Sequence, residues 1–309
     1  MTRRGAALFA LMSIVWGIPY LLIKVAVRDL SPTVVVEGRT LIGALVLLPL
    51  AIRQGQLRPL AKAWQPILAY TAAEIGITWF LLSSAERRLP SSLTGLLVAT
   101  VPLIGVALAA LSGHRRQFDR RGMFGLVLGL IGVGVLLGFD IGHGSIPAVG
   151  EVGLVAVGYA VGPLIAARWL GHLSSLALAA VSLTLVAVAY LPLAIAQRPG
   201  RVPPANVLGS VVALGLVCTA LAFVAFFELI KELGSIRATV ITYVNPAVAV
   251  VLGVVVLGEQ FKFATGIGFV LILFGSWLST RPGRAAQTAP VPNAARSPSR
   301  SAAPKTTRL

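Results

Sequence analysis

The chain has 309 residues, of which 57% are hydrophobic and 12% charged, and its formal net charge is +16. Average soluble domains carry about 25% charged residues, and one soluble core of this length cannot bury so much apolar surface. The Lys and Arg residues lie in short loops and near the carboxyl end rather than on one face, so the charge does not indicate nucleic-acid binding. A single cysteine, Cys218, excludes a disulfide framework.

Ten apolar stretches of membrane-spanning length follow one another along the chain. A spanning helix needs roughly 20 apolar residues. Backbone groups in hydrocarbon must be hydrogen-bonded within their own segment, so such stretches are helices rather than strands. We therefore predict an all-α integral membrane protein with ten transmembrane helices, multi-pass in the cytoplasmic membrane. The predicted helices are 5–27, 33–52, 66–85, 90–112 and 121–139, then 149–167, 174–196, 206–228, 236–257 and 263–280.

The positive charges predict the orientation of these helices. An even number of helices puts both termini on one side, and short cytoplasmic loops carry an excess of Lys and Arg. With both termini in the cytoplasm, the cytoplasmic loops and the carboxyl-terminal segment carry 18 such residues against 7 in the opposite loops. We therefore predict cytoplasmic termini. Segment 283–309 is rich in Pro, Ala, Ser and Arg and is predicted to be a disordered basic tail.

The two halves of the chain are copies of one another. Prolines and cations of four different helices coincide at a constant offset of 144 residues, which similarity among apolar helices does not explain. We therefore predict two five-helix repeats, 1–142 and 145–282. Five is an odd number, so the second repeat enters the membrane inverted, an arrangement that lets two units rock about a shared midplane site. The coinciding residues are Pro19 and Pro163, Lys24 and Arg168, Ser31 and Ser175, Arg87 and Lys231, Ser91 and Ser235, and Pro102 and Pro246.

The ninth predicted helix contains a distinctive motif, 243–253 (YVNPAVAVVLG) followed by 257–259 (LGE), and the first repeat contains 99–103 (ATVPL) and 16–17 (WG). Together these motifs resemble those of the EamA-type permeases of the drug/metabolite transporter superfamily. The resemblance covers residues 5–280 and implies two EamA-like repeats. It also implies secondary transport of a small metabolite, amino acid-like compound or drug, commonly as export.

One short segment of this chain departs from the family pattern. The family often ends its fourth helix with Gly-Glu, whereas this chain reads Gly113-His114-Arg115. Glu259, at the end of the ninth helix, therefore lacks an acidic counterpart in the first repeat.

Four prolines, Pro19, Pro102, Pro163 and Pro246, fall inside predicted helices. A proline removes a backbone donor and frees a carbonyl one turn earlier. The freed carbonyls either accompany kinks that improve packing or line a substrate cavity near the midplane. For substrate contact, the polar candidates beside these breaks are Tyr243 and Asn245 in the ninth helix and Trp16 and Tyr20 in the first.

Three charged residues, Glu37, Arg39 and Glu74, lie well inside predicted spans. A charge at the bilayer centre costs at least about 2.5–3.5 kcal/mol, so such residues face protein or water. By depth along their helices, Arg39 can approach Glu74, which predicts an ion pair. That pair either fixes helix packing or couples transport to protons, because a desolvated carboxylate gains a proton readily.

The remaining candidate residues fit structural roles. Aromatic side chains near helix ends are typical interface anchors, and glycines at helical spacing favour close helix packing. The predicted anchors are Trp64, Trp79, Trp169, Tyr70 and Tyr190, and the packing glycines are Gly125, Gly129, Gly132, Gly266, Gly268 and Gly275.

Membrane-embedded enzymes, channels and transporters differ in the residues that they need within the membrane. A membrane-embedded enzyme needs a nucleophile with a base, or metal ligands, at membrane depth, and no His or Asp lies within a predicted span. A passive channel shows selectivity rings or carbonyl filters, and the sequence contains no pattern typical of either. We therefore predict a transporter with no cofactor and no metal. The predicted partners are a small-molecule substrate and the lipid bilayer, with protons as an open alternative and no nucleic acid. The predicted oligomeric state is monomer or homodimer.

Overall fold

The protein is described by a computed structural model that covers residues 2–111, 120–140, 145–234 and 238–280. Ten helices in these ranges are long and apolar enough to span a membrane, as predicted. The tail 283–309, predicted to be disordered, lies outside the described residues. The helices of the first repeat are α1 (Arg3–Val15 and Ile18–Ala26), α2 (Pro32–Arg53), α3 (Arg58–Ala63, Trp64–Thr71, Ala72–Gly76 and Ile77–Ala85), α4 (Ser91–Val98 and Val101–Leu111) and α5 (Arg120–Asp140).

The second repeat has the same order of helices. Because the chain crosses ten times, Thr2 and Thr280 lie at the same face of the membrane domain, which we call the terminal face. The turn that joins α3 to α4 lies at the other face, which we call the opposite face. The helices are α6 (Ile146–Ile165 and Ala166–Leu170), α7 (Ser175–Ala196), α8 (Ala205–Gly215, Leu216–Leu221 and Ala222–Leu233), α9 (Thr239–Tyr243 and Asn245–Leu257) and α10 (Phe263–Thr280).

The two repeats pack as inverted copies. Helix α2 packs on α7, α4 on α9 and α5 on α10, so each of these six helices meets its own counterpart in the other repeat. Helix α3 packs on α6, which is the counterpart of α1. Exchanging the repeats turns this contact into that of α8 with α1, which is also present. The predicted fold of two inverted five-helix repeats is therefore confirmed.

Local backbone features recur in both repeats. Helix α3 contains a π-helical turn at Ala72–Gly76, and α8 contains one at Leu216–Leu221, which begins 144 residues later. The α2 and α7 helices each begin at a serine whose hydroxyl accepts a hydrogen bond from a backbone N–H, Ser31 from Val34 and Ser174 from Ala177. The counterpart of Ser31 as a cap is therefore Ser174 rather than Ser175.

The glycines of α5 and α10 bring these two helices into backbone contact. A Cβ atom on Gly275 would lie 2.5 Å from the carbonyl oxygen of Gly125, and one on Gly132 would lie 2.8 Å from that of Gly268. No side chain fits at such positions without moving a helix. The predicted packing role is confirmed for Gly125, Gly129, Gly132, Gly268 and Gly275, whereas a Cβ on Gly266 would make only ordinary contact with the ring of Phe261, so its role stays a prediction.

Three of the four prolines stand just after a break in a helix. Pro19, Pro102 and Pro246 are each the second residue of the segment that follows, where the missing N–H costs no hydrogen bond. Pro163 differs, because it lies inside the continuous segment Ile146–Ile165. The expectation of a break at Pro163 is therefore wrong, and α6 changes its winding only at the π-helical turn Ala166–Leu170.

Candidate functional site

A buried arginine stands at the centre of the helix bundle. Arg39, on α2, is only 7% exposed, and its Nε donates a hydrogen bond to the Oγ1 atom of Thr219 at 2.9 Å. Its Cζ atom lies 3.5 Å from the ring centre of Trp79 on α3, a cation–π distance. No carboxylate forms an ion pair with Arg39 in the described parts of the chain.

The π-helical turn of α8 positions the acceptor for Arg39. The hydroxyl of Thr219 donates to the carbonyl of Leu214, five residues earlier, at 2.8 Å, and it accepts from Arg39 with its remaining lone pairs. A π-helical turn rotates the residues that follow it relative to a regular α-helix. The turn thereby directs Thr219 towards α2.

Two tyrosines complete this region. They lie on α1 and α6, which are counterparts in the two repeats. Tyr20 of α1 is buried, and Tyr159 of α6 lies beside Trp79. Both lie within electrostatic range of Arg39. Five helices thus converge on one region, which we call the central site and define as Tyr20, Arg39, Trp79, Tyr159 and Thr219.

The predicted ion pair between Arg39 and Glu74 is wrong. Glu74 lies in the π-helical turn of α3 and faces α6, where Gly162 leaves room for its carboxylate. Arg39 instead reaches α8 and Trp79. The Oε2 atom of Glu74 is buried and has no hydrogen-bond partner, and its carboxylate takes part in no ion pair of the described residues.

Glu37 lies apart from the central site. It is 7% exposed, and neither of its carboxylate oxygens has a hydrogen-bond partner. It lines an apolar groove of about 420 Å³ between α2 and α7, together with Leu45 and Val188, whose side chains are exposed on the outside of the bundle. Glu37 therefore faces the outer surface of the bundle rather than Arg39.

The structure brings one of the four predicted substrate contacts, Tyr20, into the central site. Trp16 packs against Phe226 of α8, with ring centres 4.6 Å apart. The side-chain nitrogen of Asn245 donates to the carbonyls of Ser13 and Ile241 when its amide is oriented to satisfy both bonds, at 3.1 and 2.9 Å.

Tyr243 has a protein partner at the terminal face. Its hydroxyl lies 2.9 Å from the hydroxyl of Thr280. Substrate contact by Tyr243 therefore remains a prediction, as it does for Trp16 and Asn245.

The sequence did not single out three members of the central site, Trp79, Tyr159 and Thr219. Trp79 was predicted to anchor the membrane interface, but it is only 6% exposed, because it lies under the guanidinium of Arg39. Trp64 and Trp169 are more than half exposed, as interface anchors require. A buried arginine needs neighbours with π-electrons or acceptor atoms. A tryptophan on the adjacent helix, Trp79, was therefore the one feature of the sequence that could have indicated the surroundings of Arg39.

The turn between α3 and α4 is held from two sides at the opposite face. Lys24 donates from Nζ to the backbone carbonyls of Glu86 and Leu89 at 2.6 and 2.8 Å. The Glu259 carboxylate accepts hydrogen bonds from the backbone N–H groups of Ser91 and Ser92, at 2.7 and 2.9 Å, and from both hydroxyls, at 3.0 and 2.6 Å. We call this arrangement the Glu259 clamp.

Electrostatics around the clamp follow from these contacts. Desolvation alone would raise the pKa of Glu259, but the hydrogen bonds from Ser92 and Ser91 outweigh it and hold the pKa below its usual range. Glu86 is fully buried, and its carboxylate oxygens have no hydrogen-bond partner, so desolvation raises its pKa well above the usual range although Lys24 lowers it. The clamp is thus a charged carboxylate at the N-terminus of α4, where the helix dipole favours an anion.

Ion pairs join the two repeats at both faces. At the opposite face, Arg88 at the end of α3 pairs with Glu151 of α6 at 2.5 Å. At the terminal face, Arg4 of α1 pairs with Glu228 at 3.0 Å and with Glu232 at 3.7 Å, both on α8. Glu232 lies 144 residues after Arg88, and Glu151 lies three residues from position 148, which corresponds to Arg4, so the two pairs occupy similar places in the repeats with their charges exchanged.

Known proteins resemble this chain over nearly its full length. The model of the EamA-like transporter family matches residues 3–138 and 152–281. The uncharacterized inner membrane transporter YedA of Escherichia coli K12 is 27% identical over 279 residues, 89% of each protein. The uncharacterized transporter YvbV of Bacillus subtilis 168 is 24% identical over 292 residues, 93% of this chain and 95% of its own.

A solved structure shares the fold. A chain titled only as the crystal structure of a protein superposes with a TM-score of 0.64 at 22% identity, covering 91% of this chain and 97% of its own. At that identity the likeness concerns the fold alone.

Ten apolar helices in two inverted repeats, similar throughout to proteins named as transporters, define a membrane transporter. The chain belongs to the EamA-like transporter family, since the family model matches both repeats. The resemblance drawn from the sequence motifs is confirmed.

Proposed function

We propose that the protein is a secondary active transporter that moves a small metabolite, amino acid-like compound or drug by alternating access. The exchanged packing of α3 on α6 and α8 on α1 carries this proposal. Those helix pairs end in ion pairs at opposite faces of the membrane domain. Two inverted units that rock about their common axis break one pair and keep the other, and so open the central site to one face at a time.

The central site is the proposed substrate site. Tyr20, Trp79 and Tyr159 supply aromatic surface, and Arg39 and Thr219 supply polar groups in a buried setting. A largely apolar pocket with a few placed polar groups is the usual form of a small-molecule site. The helix breaks beside Pro19 and Pro102 allow the flanking segments to move separately.

Glu74 is the proposed proton-coupling residue. Its buried Oε2 atom has no hydrogen-bond partner, and Tyr159 lies within electrostatic range of both Glu74 and Arg39. A carboxyl group that is dry in one conformation and hydrated in the other binds a proton in the first and releases it in the second. Proton movement through Glu74 would thus be linked to the occupancy of the central site.

The proposed transporter has both termini in the cytoplasm, exports its substrate and works as a monomer or homodimer. The excess of Lys and Arg at the terminal face supports the orientation. A protease site placed after Leu309 tests it, because cleavage should occur in inside-out vesicles and not in intact spheroplasts. The reverse pattern would contradict the orientation.

Counterflow in proteoliposomes tests the transport mechanism. Purified protein is reconstituted into vesicles loaded with a metabolite mixture, and the exchange of each compound is followed by mass spectrometry with and without an imposed pH gradient. We expect saturable exchange that the gradient accelerates. Flux that neither saturates nor shows counterflow would identify a channel instead.

A variant of Glu74 separates coupling from transport. Glu74→Gln should keep counterflow but lose its acceleration by the pH gradient, because the amide does not take up a proton. The matched control is Asp29→Asn, which removes a carboxylate from an exposed ion pair with Arg201. An unchanged gradient effect in Glu74→Gln would remove proton coupling at this residue and leave the transport proposal standing.

A further inference from the structure

Arg39 has more hydrogen-bond donors than the protein uses. A guanidinium group carries five N–H donors, and the described residues provide one acceptor, Thr219, for the Nε–H. The terminal nitrogens of Arg39 make no hydrogen bond in the described part of the protein, although the side chain is 93% buried by its exposure of 7%. Four donors are therefore left for a ligand or for water.

The positive charge of Arg39 is likewise unpaired. Moving an ion out of water costs several kcal/mol, and a buried charge normally has an opposite charge beside it. Here the neighbouring groups are a tryptophan face, two tyrosines, a threonine and the thiol of Cys218. Glu86 lies within electrostatic range of Arg39, but no ion pair joins them among the described residues.

The surroundings favour an anion with one charge. Lys24, a cation at the opposite face, already donates to two backbone carbonyls. Arg39 therefore offers one unpaired positive charge among the described residues of this region. A phosphate or dicarboxylate would bring a second negative charge without a free cation to match it, whereas a single carboxylate matches the fork of a guanidinium.

We propose that the transported molecule carries a single carboxylate, which binds the free N–H groups of Arg39 while its apolar part lies against Tyr20 and Tyr159. Trp79 holds the guanidinium from its other face, and Thr219 fixes its rotation through Nε. This assignment of the substrate class rests on the proposed transport function.

Matched compounds test the substrate class. Proteoliposomes receive hydroxy- and amino-carboxylates, the corresponding carboxamides and the corresponding amines or alcohols that lack the carboxyl group, all at equal concentration. Counterflow of each compound is measured against protein-free vesicles. We expect exchange of carboxylates and a rate at least about tenfold lower for the carboxamides, which lose the charge-assisted hydrogen bonds.

Variants of Arg39 connect that preference to the central site. Arg39→Gln and Arg39→Lys should both lower carboxylate exchange about 10- to 100-fold, since lysine keeps the charge but loses the planar fork. Arg53→Gln, which removes an exposed cation from the same helix, should leave it unchanged. Thr219→Val releases only the Nε–H and should raise KM about three- to tenfold without changing the preferred class, which provides a test if the Arg39 variants do not fold.

The outcomes separate the substrate class from the transport function. Exchange of carboxamides or amines at the rate of carboxylates, or full activity of Arg39→Gln, would overturn the carboxylate assignment while transport stands. Absence of exchange for all three classes would contradict the transport function and with it this assignment.

Discussion

The Glu259 clamp should contribute more to stability than any exposed ion pair of the molecule. Glu259→Gln keeps one acceptor oxygen but removes the charge that faces the N-terminus of α4. A hydrogen bond to a charged group contributes about 1.5–3 kcal/mol, and the interaction with the helix dipole adds about 0.3–1 kcal/mol. The amide of Gln can still donate to the Ser92 hydroxyl but cannot accept from the Ser92 N–H, so one of the four hydrogen bonds is lost and the expected cost is about 2–4 kcal/mol.

Thermal unfolding in detergent measures this cost. At about 2–4 °C per kcal/mol for a chain of this size, Tm should fall by about 5–15 °C. The matched control is Asp29→Asn at the same face, which breaks an exposed pair with Arg201 and should change Tm far less. Equal shifts in the two variants would refute the reasoning.

The pH dependence gives a second readout of the clamp. Because the folded protein lowers the pKa of Glu259, the stabilisation is present above the unfolded value of about 4.3 and is lost as the pH falls through the folded pKa. Wild-type Tm should therefore decline below about pH 4, and Glu259→Gln should lack that part of the decline.

Three further substitutions test packing and the site. Gly275→Ala should destabilise by about 1–3 kcal/mol, because the new methyl group meets backbone atoms of α5, whereas Gly134→Ala, with open space around it, should be neutral in the same unfolding assay. Gly162→Ala should displace the Glu74 carboxylate and reduce the effect of a pH gradient on counterflow. Trp16→Ala should lower Tm, at a cost of about 3–5 kcal/mol, since Trp16 packs on an aromatic ring of α8.

The fold could be predicted because bilayer thickness and duplication both produce patterns that are visible along the sequence itself. The length of each apolar stretch gives the helices, and prolines at a constant offset give the repeat. Pro19, Pro102 and Pro246 also marked real breaks. Pro163 shows the limit of that rule, since a neighbouring helix and a later π-helical turn can accommodate a proline without a break.

The site could be predicted only in part because a sequence gives depth in the membrane but not direction. Arg39 and Glu74 lie at depths that allow contact, yet they face different helices. The turns that direct Glu74 and Thr219 are π-helical, and the extra residue in such a turn rotates the helix without any signal in the hydropathy pattern. Trp79 shows the same limit, because an aromatic residue near a helix end can face lipid or a buried cation.

In the proposed alternating-access cycle, the difference between the two repeats at the Glu259 clamp would bias the balance between the two conformers. Identical copies would give two conformers of equal population, each the image of the other with the repeats exchanged. The first repeat has Gly113-His114-Arg115 where the second has Gly258-Glu259, so this acidic cap can favour closure of one face only. About 2 kcal/mol corresponds to a roughly 30-fold population ratio. Without substrate, the proposed transporter would therefore populate mainly the conformer whose central site opens towards the terminal face, where it can bind substrate from that side.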